Sequence, residues 1–245
     1  MIFHPVNARS GEEGRAEWKR LRLGIPTSSA FHRILTPKKL EISAQAVSYR
    51  NELLEEWITG EEIDTPQTEW MERGIEDEDL AVSSYEGIYD VETQPGGFFT
   101  TDDGMIGCSP DRLVGDNGDL EVKTGAVRTM VGYALNGKVA EDHMLQIQGR
   151  LMIHEREWVE VFAYNRLIIP KPVRVYRDEK VIGVLKVVLG TFVEQLLEAR
   201  LKLEREFGPF TRVDRTPPLA DHSQDFLTAE DEETIVRARF PEVAR

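Results

Sequence analysis

The stretch GCSPDRLVGDNGDLEVKT, residues 107–124, predicts two β-strands joined through Asp-Asn-Gly, whose Asn-Gly pair is a strong hairpin signal. Glu121 and Lys123 are two residues apart on the second strand, so their side chains leave the same face, roughly 6.6 Å apart along it. Asp111 comes from the preceding strand and can point to that face. We therefore expect two carboxylates and an ammonium group to meet on one side of the ribbon.

Such a group of side chains suits a divalent metal. Two carboxylates and a backbone carbonyl form half an octahedron of hard oxygen ligands, which Mg²⁺ or Mn²⁺ prefers. The ammonium group of Lys123 could polarise an attacking water or stabilise charge on a phosphate. The alternative is that Glu121 and Lys123 only form an ion pair on an exposed strand face.

The rest of the chain predicts an α/β fold of one domain, with a central mixed sheet flanked by helices. We expect that domain over residues 1–207 and a C-terminal extension, surface-lying or partly disordered, over 208–245. Helices are predicted at about 12–21, from near Ser28, and over 43–60, 66–89, 126–138, 140–155 and 178–207; strands are predicted over 90–94, 97–101, 105–115, 119–124, 157–165 and 173–177.

The formal net charge of −14 is unevenly distributed. Residues 61–124 contain three basic and 18 acidic residues, whereas residues 1–60 contain nine and seven, and residues 125–219 contain 15 and 12. A divalent cation suits the acidic segment, and the basic flanks can meet phosphate. The alternative is that most of these carboxylates solvate an exposed helix face.

Several classes of protein are disfavoured. The single cysteine, Cys108, cannot form an internal disulfide, and no Cys or His cluster has zinc-ligand spacing. The N-terminus lacks a secretory pattern, and the longest apolar stretch is interrupted by Lys186. We expect a cytoplasmic protein without a membrane segment.

Four segments share their order and spacing with one family. They are WKRLRLGIPTSSAFHRIL at 18–35, RGIEDEDLA at 73–81, GCSPDRLV followed by LEVK at 107–123, and MLQIQGRLMI at 144–153. Together they resemble the phage lambda-type (YqaJ-like) alkaline exonucleases of the PD-(D/E)xK nuclease superfamily. The resemblance implies the restriction-endonuclease-like fold and a bacterial or phage-infected host cytoplasm. It weakens beyond about residue 180.

The resemblance also implies roles for individual residues at the metal. Asp111 and Glu121 become metal ligands together with the carbonyl of Val122, and Lys123 becomes the catalytic lysine. Glu78 corresponds to a helix glutamate beside the metal site.

A second set of residues corresponds to a pocket for the terminal 5′-phosphate of DNA. Arg22 and Ser29 fall on it, and Thr27 and Ser28 can add contacts. A guanidinium group grips phosphate with two hydrogen bonds, and hydroxyl groups at a helix start suit an anion. The alternative role for the Ser/Thr run is helix capping.

The remaining assignments concern a glutamine, two lysines and a methionine. Gln148 takes the place of the active-site glutamine, and Gln146 is expected to face elsewhere. Lys38 and Lys39 are predicted to contact the DNA backbone, or else to be a solubilising surface pair. Met71 is predicted as an apolar wedge that separates the bases of the duplex end, where the family usually has leucine.

The expected activity is Mg²⁺-dependent 5′-to-3′ digestion of one strand of linear double-stranded DNA, leaving 3′ single strands for recombination. The family resemblance further implies a ring-shaped homotrimer and a single-strand annealing protein as partner. Two alternatives stay open: an endonuclease with the same metal centre, and an inactive nuclease-fold protein that only binds DNA or recruits a recombinase.

Overall fold

The computed structural model describes residues 1–63 and 69–210, and of residues 69–76 it describes the backbone only. It has a mixed α/β architecture, as predicted. The strands are β1 Ile2–His4, β2 Thr93–Pro95, β3 Phe98–Thr100, β4 Gly107–Cys108, β5 Arg112–Val114, β6 Gly118–Thr124, β7 Trp158–Tyr164 and β8 Val173–Tyr176. The helices are α1 Gly11–Arg22, a 3₁₀ helix Ser28–Arg33, α2 Ala46–Thr59, α3 Glu69–Tyr89, α4 Val127–Asn136, α5 Glu141–His154 and α6 Glu179–Phe207.

The larger sheet has the strand order β2-β5-β6-β7-β8. Strands β6 and β7 are parallel, with Glu121 opposite Val161, and the other pairs are antiparallel. A parallel pair needs a long crossover, which α4 and α5 supply. Strand β6 is thus the central strand of the sheet.

The predicted strand over residues 105–115 is wrong as a single element. Its first part, β4, belongs to a separate three-stranded sheet of order β1-β3-β4, and its second part, β5, belongs to the larger sheet. Pro110 lies between them and has no N–H to donate to a ladder, so the strand breaks there. Asp111 therefore lies in a bend between two sheets rather than within a hairpin strand.

Close contacts fix this bend. A Cβ atom on Gly96 would lie 1.8 Å from the carbonyl oxygen of Pro110. Ser109 Oγ donates to the carbonyl of Gly97 at 3.0 Å and accepts from Trp18 Nε1 at 3.2 Å. Only glycine fits at position 96, because the two backbones almost touch there.

The hairpin between β5 and β6 is present, but its turn differs from the predicted one. The positive φ of 54° falls on Gly115 rather than on the Asn-Gly pair. Gly118 instead begins β6, where an added Cβ would lie 2.1 Å from the ring of Trp158.

The two faces of β6 meet different helices. Leu120 and Val122 belong to an apolar cluster with Ala81 and Tyr85 of α3. Asp119 and Glu121 alternate with them and face α5, so one strand separates an apolar face from a charged one.

Helix α5 also packs closely on the 3₁₀ helix. A Cβ on Gly149 would lie 2.4 Å from the ring of Phe31, so the absence of a side chain there permits the approach. The helix predicted to start near Ser28 is thus this short 3₁₀ helix.

The predicted C-terminal extension falls mostly outside the described residues, which end at 210. Within them, the ring of Phe210 lies 5.3 Å from that of Trp57 and packs on the main core. Among the helices of residues 1–63 and 69–210, none has the length and apolar character that a membrane span requires.

Candidate active site

Glu121 and Lys123 lie together on β6, as their spacing predicts. Lys123 Nζ is 2.5 Å from Glu121 Oε1. Glu121 is only 4% exposed, however, so the pair does not lie on an exposed strand face. A buried carboxylate at this position needs a reason other than solubility.

Asp111 directly precedes the first residue of β5 and lies beside Glu121, at the edge of β6. Its Oδ2 accepts a hydrogen bond from the backbone N–H of Val122 at 2.7 Å, while β5 pairs with β6 only over Gly118–Leu120. The N–H and C=O of one strand residue point to the same edge. The carbonyl of Val122 therefore faces the same side as Asp111.

Glu78 of α3 completes an acidic group with Asp111 and Glu121. Its carboxylate is half-buried and lies 3.0 Å from Arg9 Nη2. Burial raises the pKa of Glu78, and repulsion from Glu121 adds to this while Arg9 opposes it. The pKa of Asp111 is raised by burial and then by the charges of Glu121 and Glu78. The three carboxylates therefore repel one another.

The fit to a divalent cation follows from this donor set. Within the described part of the chain, no three or more His, Cys, Asp or Glu side chains are grouped so as to hold a metal ion. The available set is two carboxylates and a backbone carbonyl, all hard oxygen donors of the kind that Mg²⁺ or Mn²⁺ takes, with water filling other positions. A cation would also offset the repulsion that raises the pKa of Asp111. The residues present thus fit such an ion.

A buried charge network that the sequence did not predict lies behind Glu121. Arg150 of α5 is fully buried; its guanidinium contacts Glu121 Oε2 through Nη1 and lies 2.5 Å from Asp119 Oδ1 through Nη2. His154 Nε2 lies 2.7 Å from the other oxygen of Asp119. Burial would raise the pKa of Glu121, but Arg150 and Lys123 outweigh it and lower the pKa to about 2. Glu121 is therefore held ionised.

A signal for this network was present in the sequence. Positions 146, 150 and 154 are four residues apart and form one polar stripe on α5. Asp119, Glu121 and Lys123 are two residues apart on β6 and share one face of the strand. The two patterns are complementary in charge and face each other.

The two glutamines have the opposite arrangement from the one predicted. Gln146 Nε2 donates to Glu121 Oε1 at 3.1 Å. Gln148 is buried away from the carboxylates, donating to the carbonyl of Tyr176 at 2.9 Å and accepting from the N–H of Asp178 at 2.8 Å. Gln148 faces elsewhere because it joins α5 to the chain that enters α6.

The predicted phosphate-binding residues share a large cleft with Asp111 and Glu78 of the acidic group. This cleft has a volume of about 1010 Å³ and is lined by Arg22, Thr27, Ser28 and Ser29 as well as Glu78 and Asp111. The guanidinium of Arg22 lies 4.4 Å from the ring centre of Trp18, and burial lowers its pKa. Of the described residues, none forms a salt bridge with Arg22. It stays cationic at neutral pH because arginine starts from so high a pKa.

The hydroxyl groups in this cleft do not cap a helix. Thr27 occupies the N-cap position of the 3₁₀ helix with an extended backbone, but its side chain makes no capping hydrogen bond. Its Oγ1 lies 3.3 Å from Ser29 Oγ instead. The predicted capping role is wrong, and the two hydroxyl groups lie side by side in the cleft.

The remaining predicted residues lie elsewhere. Lys38 and Lys39 are exposed, and Lys38 Nζ is 3.2 Å from Glu141 Oε2. Neither lysine lines the large cleft, so their contact with DNA stays a prediction. The side chain of Met71 lies outside the described residues.

A smaller cavity of about 610 Å³ adjoins the cleft. It is lined by Lys123, His32 and His143, among others, and Ser29 and Gln146 line both spaces. The acidic group and Lys123 thus open into two spaces that meet at a shared boundary.

The sequence and the fold of the chain are similar to those of known proteins. Residues 17–157 match the family model of the YqaJ-like viral recombinase domain. The crystal structure of an alkaline exonuclease from Laribacter hongkongensis, LHK-Exo, is similar with a TM-score of 0.70 and 26% identity, covering 78% of this chain and 96% of that chain. LHK-Exo in complex with dAMP gives the same values.

A phage related exonuclease from Haemophilus somnus 129PT has a TM-score of 0.52 and 12% identity, covering 71% of this chain and 96% of that one. At that identity the likeness concerns the fold alone. A comparison with curated protein sequences found no match.

Proposed function

Since the chain belongs to the YqaJ-like viral recombinase family, we propose that it is a nuclease acting on DNA, and more specifically a Mg²⁺-dependent exonuclease that degrades one strand of linear duplex DNA from its 5′ end. The products would be mononucleotides and a duplex with 3′ single strands for recombination. The similar LHK-Exo is described as an alkaline exonuclease, which supports the general activity.

The observation that carries this proposal is the meeting of Asp111, Glu78 and the phosphate-type residues in one cleft. A metal-ligand set alone would fit many hydrolases. An arginine with two neighbouring hydroxyl groups in the same cleft suits a second, terminal phosphate near the one that is cleaved. Such a pair of sites would let the enzyme recognise a 5′ end and cleave beside it.

Each residue then has a distinct task. Asp111, Glu121 and the carbonyl of Val122 would hold Mg²⁺, with Glu78 beside them. A bound Mg²⁺ would polarise the phosphodiester and lower the pKa of an attacking water. Lys123 would donate to that water or to the charged phosphate oxygens.

Gln146 and Arg150 would act through Glu121. Gln146 donates to one oxygen of Glu121 and Arg150 to the other, so the carboxylate has little freedom to rotate. We assign both as positioning residues, and Gln146 replaces Gln148 in the proposed site.

Digestion of end-labelled linear and closed circular duplexes, with and without Mg²⁺, tests the activity. We expect the linear DNA to be digested only with the metal and the circular DNA to stay intact. Cleavage of circles would favour the endonuclease alternative, and binding without cleavage would favour the inactive one. Asp111→Ala should abolish digestion, and unchanged digestion would show that the metal-site assignment is wrong.

The phosphate site has its own test. Arg22→Ala should slow digestion of 5′-phosphorylated ends more than that of 5′-hydroxyl ends, because only the former use the guanidinium. Equal slowing on both ends would contradict the assignment. Arg20→Ala is a suitable control, since Arg20 lies on the same helix but pairs with Glu17 at 2.8 Å.

The assembly is also a proposal. A homotrimer enclosing DNA would explain processive digestion despite the acidic composition, because only the inner wall of a ring needs positive charge. A single-strand annealing protein is the proposed partner. Light scattering of the purified protein would give the subunit number, and a monomer would contradict the ring.

A further inference from the structure

The smaller cavity next to Lys123 has no role in the function proposed so far. Its lining includes the hydroxyl groups of Ser29 and Thr36, the imidazoles of His32 and His143, and the carboxylate of Asp142. Pro37 is its one apolar lining residue among those described. A space with this lining offers hydrogen bonds rather than an apolar surface for a base.

The position of the cavity relates it to the cleavage site. Asp111 and Glu78 line the large cleft, whereas Lys123 lines the small cavity. Glu121 lies between them, 2.5 Å from Lys123 and 3.1 Å from Gln146, and Gln146 lines both spaces. A phosphodiester that meets Asp111 and Lys123 together must therefore lie at the boundary of the two spaces.

A strand cleaved at that boundary has one nucleotide on each side. Arg22, Thr27 and Ser29 occupy the large cleft, so the nucleotide with the terminal 5′-phosphate belongs there. The next nucleotide must continue into the other space. This step rests on the proposed direction of digestion.

We infer that the smaller cavity is the subsite for the nucleotide on the 3′ side of the cleaved phosphodiester, with His32 and His143 contacting its sugar and phosphate. The Nδ1 of His143 lies 3.3 Å from the hydroxyl of Tyr133, which orients the imidazole ring. Within residues 1–63 and 69–210, the Nε2 of His143 has no hydrogen-bond partner, so it can contact the nucleotide. Contacts to sugar and phosphate carry no sequence information, so the subsite would accept any base.

A change at Asp142 is a control that should have the opposite effect on binding from the histidine changes. It is an exposed carboxylate in the lining of the same cavity. If a phosphate of the strand passes there, the charge of Asp142 repels it, and removing that charge should strengthen binding.

Equilibrium binding of two probes tests the subsite, with Ca²⁺ in place of Mg²⁺ to limit cleavage. The probes are dAMP, which fits the large cleft alone, and a 5′-phosphorylated tetranucleotide, which needs both spaces. We expect His143→Ala and His32→Ala each to weaken tetranucleotide binding about 5- to 10-fold, the effect of one lost hydrogen bond. Binding of dAMP should be unchanged, and Asp142→Asn should strengthen tetranucleotide binding.

The outcomes separate the inference from the proposed function. His32 is exposed, so His32→Ala should fold even if the half-buried His143 proves structurally necessary. Unchanged tetranucleotide binding in all three variants, or equal weakening for dAMP, overturns the subsite. Wild-type digestion of linear duplex is measured on the same preparation. If the wild type digests DNA but the variants bind the tetranucleotide as the wild type does, only the subsite is rejected. If the wild type neither digests nor binds DNA, both the subsite and the proposed function are rejected.

Discussion

Replacing the buried arginine behind the active site is the most informative perturbation of stability. Arg150→Met removes a guanidinium that is fully buried and serves two carboxylates, those of Asp119 and Glu121. Methionine has a similar volume, so the loss is of charge rather than of packing. The two carboxylates would remain in the interior, with His154 and Lys123 as their nearest partners.

The magnitude follows from the burial. Removing one partner of a buried ion pair costs about 3–5 kcal/mol, because the other charge is left uncompensated. In a domain of this size about 1 kcal/mol shifts Tm by about 2–4 °C. Arg150→Met should therefore lower Tm by about 6–20 °C.

Lys123→Met is the matched control, because Lys123 pairs with the same carboxylate. The side chain of Lys123 is 24% exposed, whereas that of Arg150 is 0% exposed. Lys123 is partly exposed, and Glu121 keeps its contacts with Arg150 and Gln146 in this variant, so the loss of stability should be smaller than for Arg150→Met.

Differential scanning calorimetry in metal-free buffer measures both variants, and circular dichroism checks that each is folded. Adding Asp119→Asn to Arg150→Met should recover part of the lost stability, since one of the two unpaired charges is then removed. If Arg150→Met costs no more than Lys123→Met, the network does not stabilise the fold and the reasoning fails.

Three further predictions concern the site. Asp111→Asn should raise Tm in metal-free buffer at neutral pH, because a raised carboxyl pKa means that stability falls as pH rises through the folded-state value; a lower Tm would contradict this. The same change should lower Mg²⁺-dependent cleavage by about 10²-fold, because a metal ligand is lost. Gly96→Ala should lower cleavage by about 10²-fold, since the bend must move by an ångström or so; Gly87→Ala is its control, because an added Cβ there has no neighbour within 4 Å. Gln146→Ala should slow cleavage with little change in Tm, whereas Gln148→Ala should lower Tm with a smaller effect on cleavage. Equal effects of the two changes on cleavage and on Tm would contradict the separate roles of the two glutamines.

Much of the fold could be predicted because its elements depend on local patterns. The alternation in β6, the glycine that ends α2 and the Asp178 cap of α6 are all read within a few residues. Asp178 accepts from two N–H groups at the start of α6, at 3.0 and 3.3 Å. The break at Pro110 was missed, because the apolar residues on either side continue the strand pattern although they join different sheets.

The site was predicted less completely, for a different reason. Glu121 and Lys123 are neighbours on one strand, so their meeting follows from spacing. Whether Gln146 or Gln148 faces Glu121 depends on the rotation of α5 about its axis, which tertiary packing sets. Arg150 was missed because a lone arginine on an amphipathic helix is usually exposed, and its partners come from a strand about 30 positions away.

Strand β6 has one charged face and one apolar face, and this difference favours its correct register during folding. A slip of one residue would turn Asp119, Glu121 and Lys123 toward the hydrocarbon side and would offer leucine and valine to Arg150. Both changes are costly, so misaligned forms of the sheet are penalised twice. The charged residues that we assign to DNA cleavage thus also favour the correct register of β6. Replacing them to inactivate the enzyme should therefore also favour misaligned pairing of the strand.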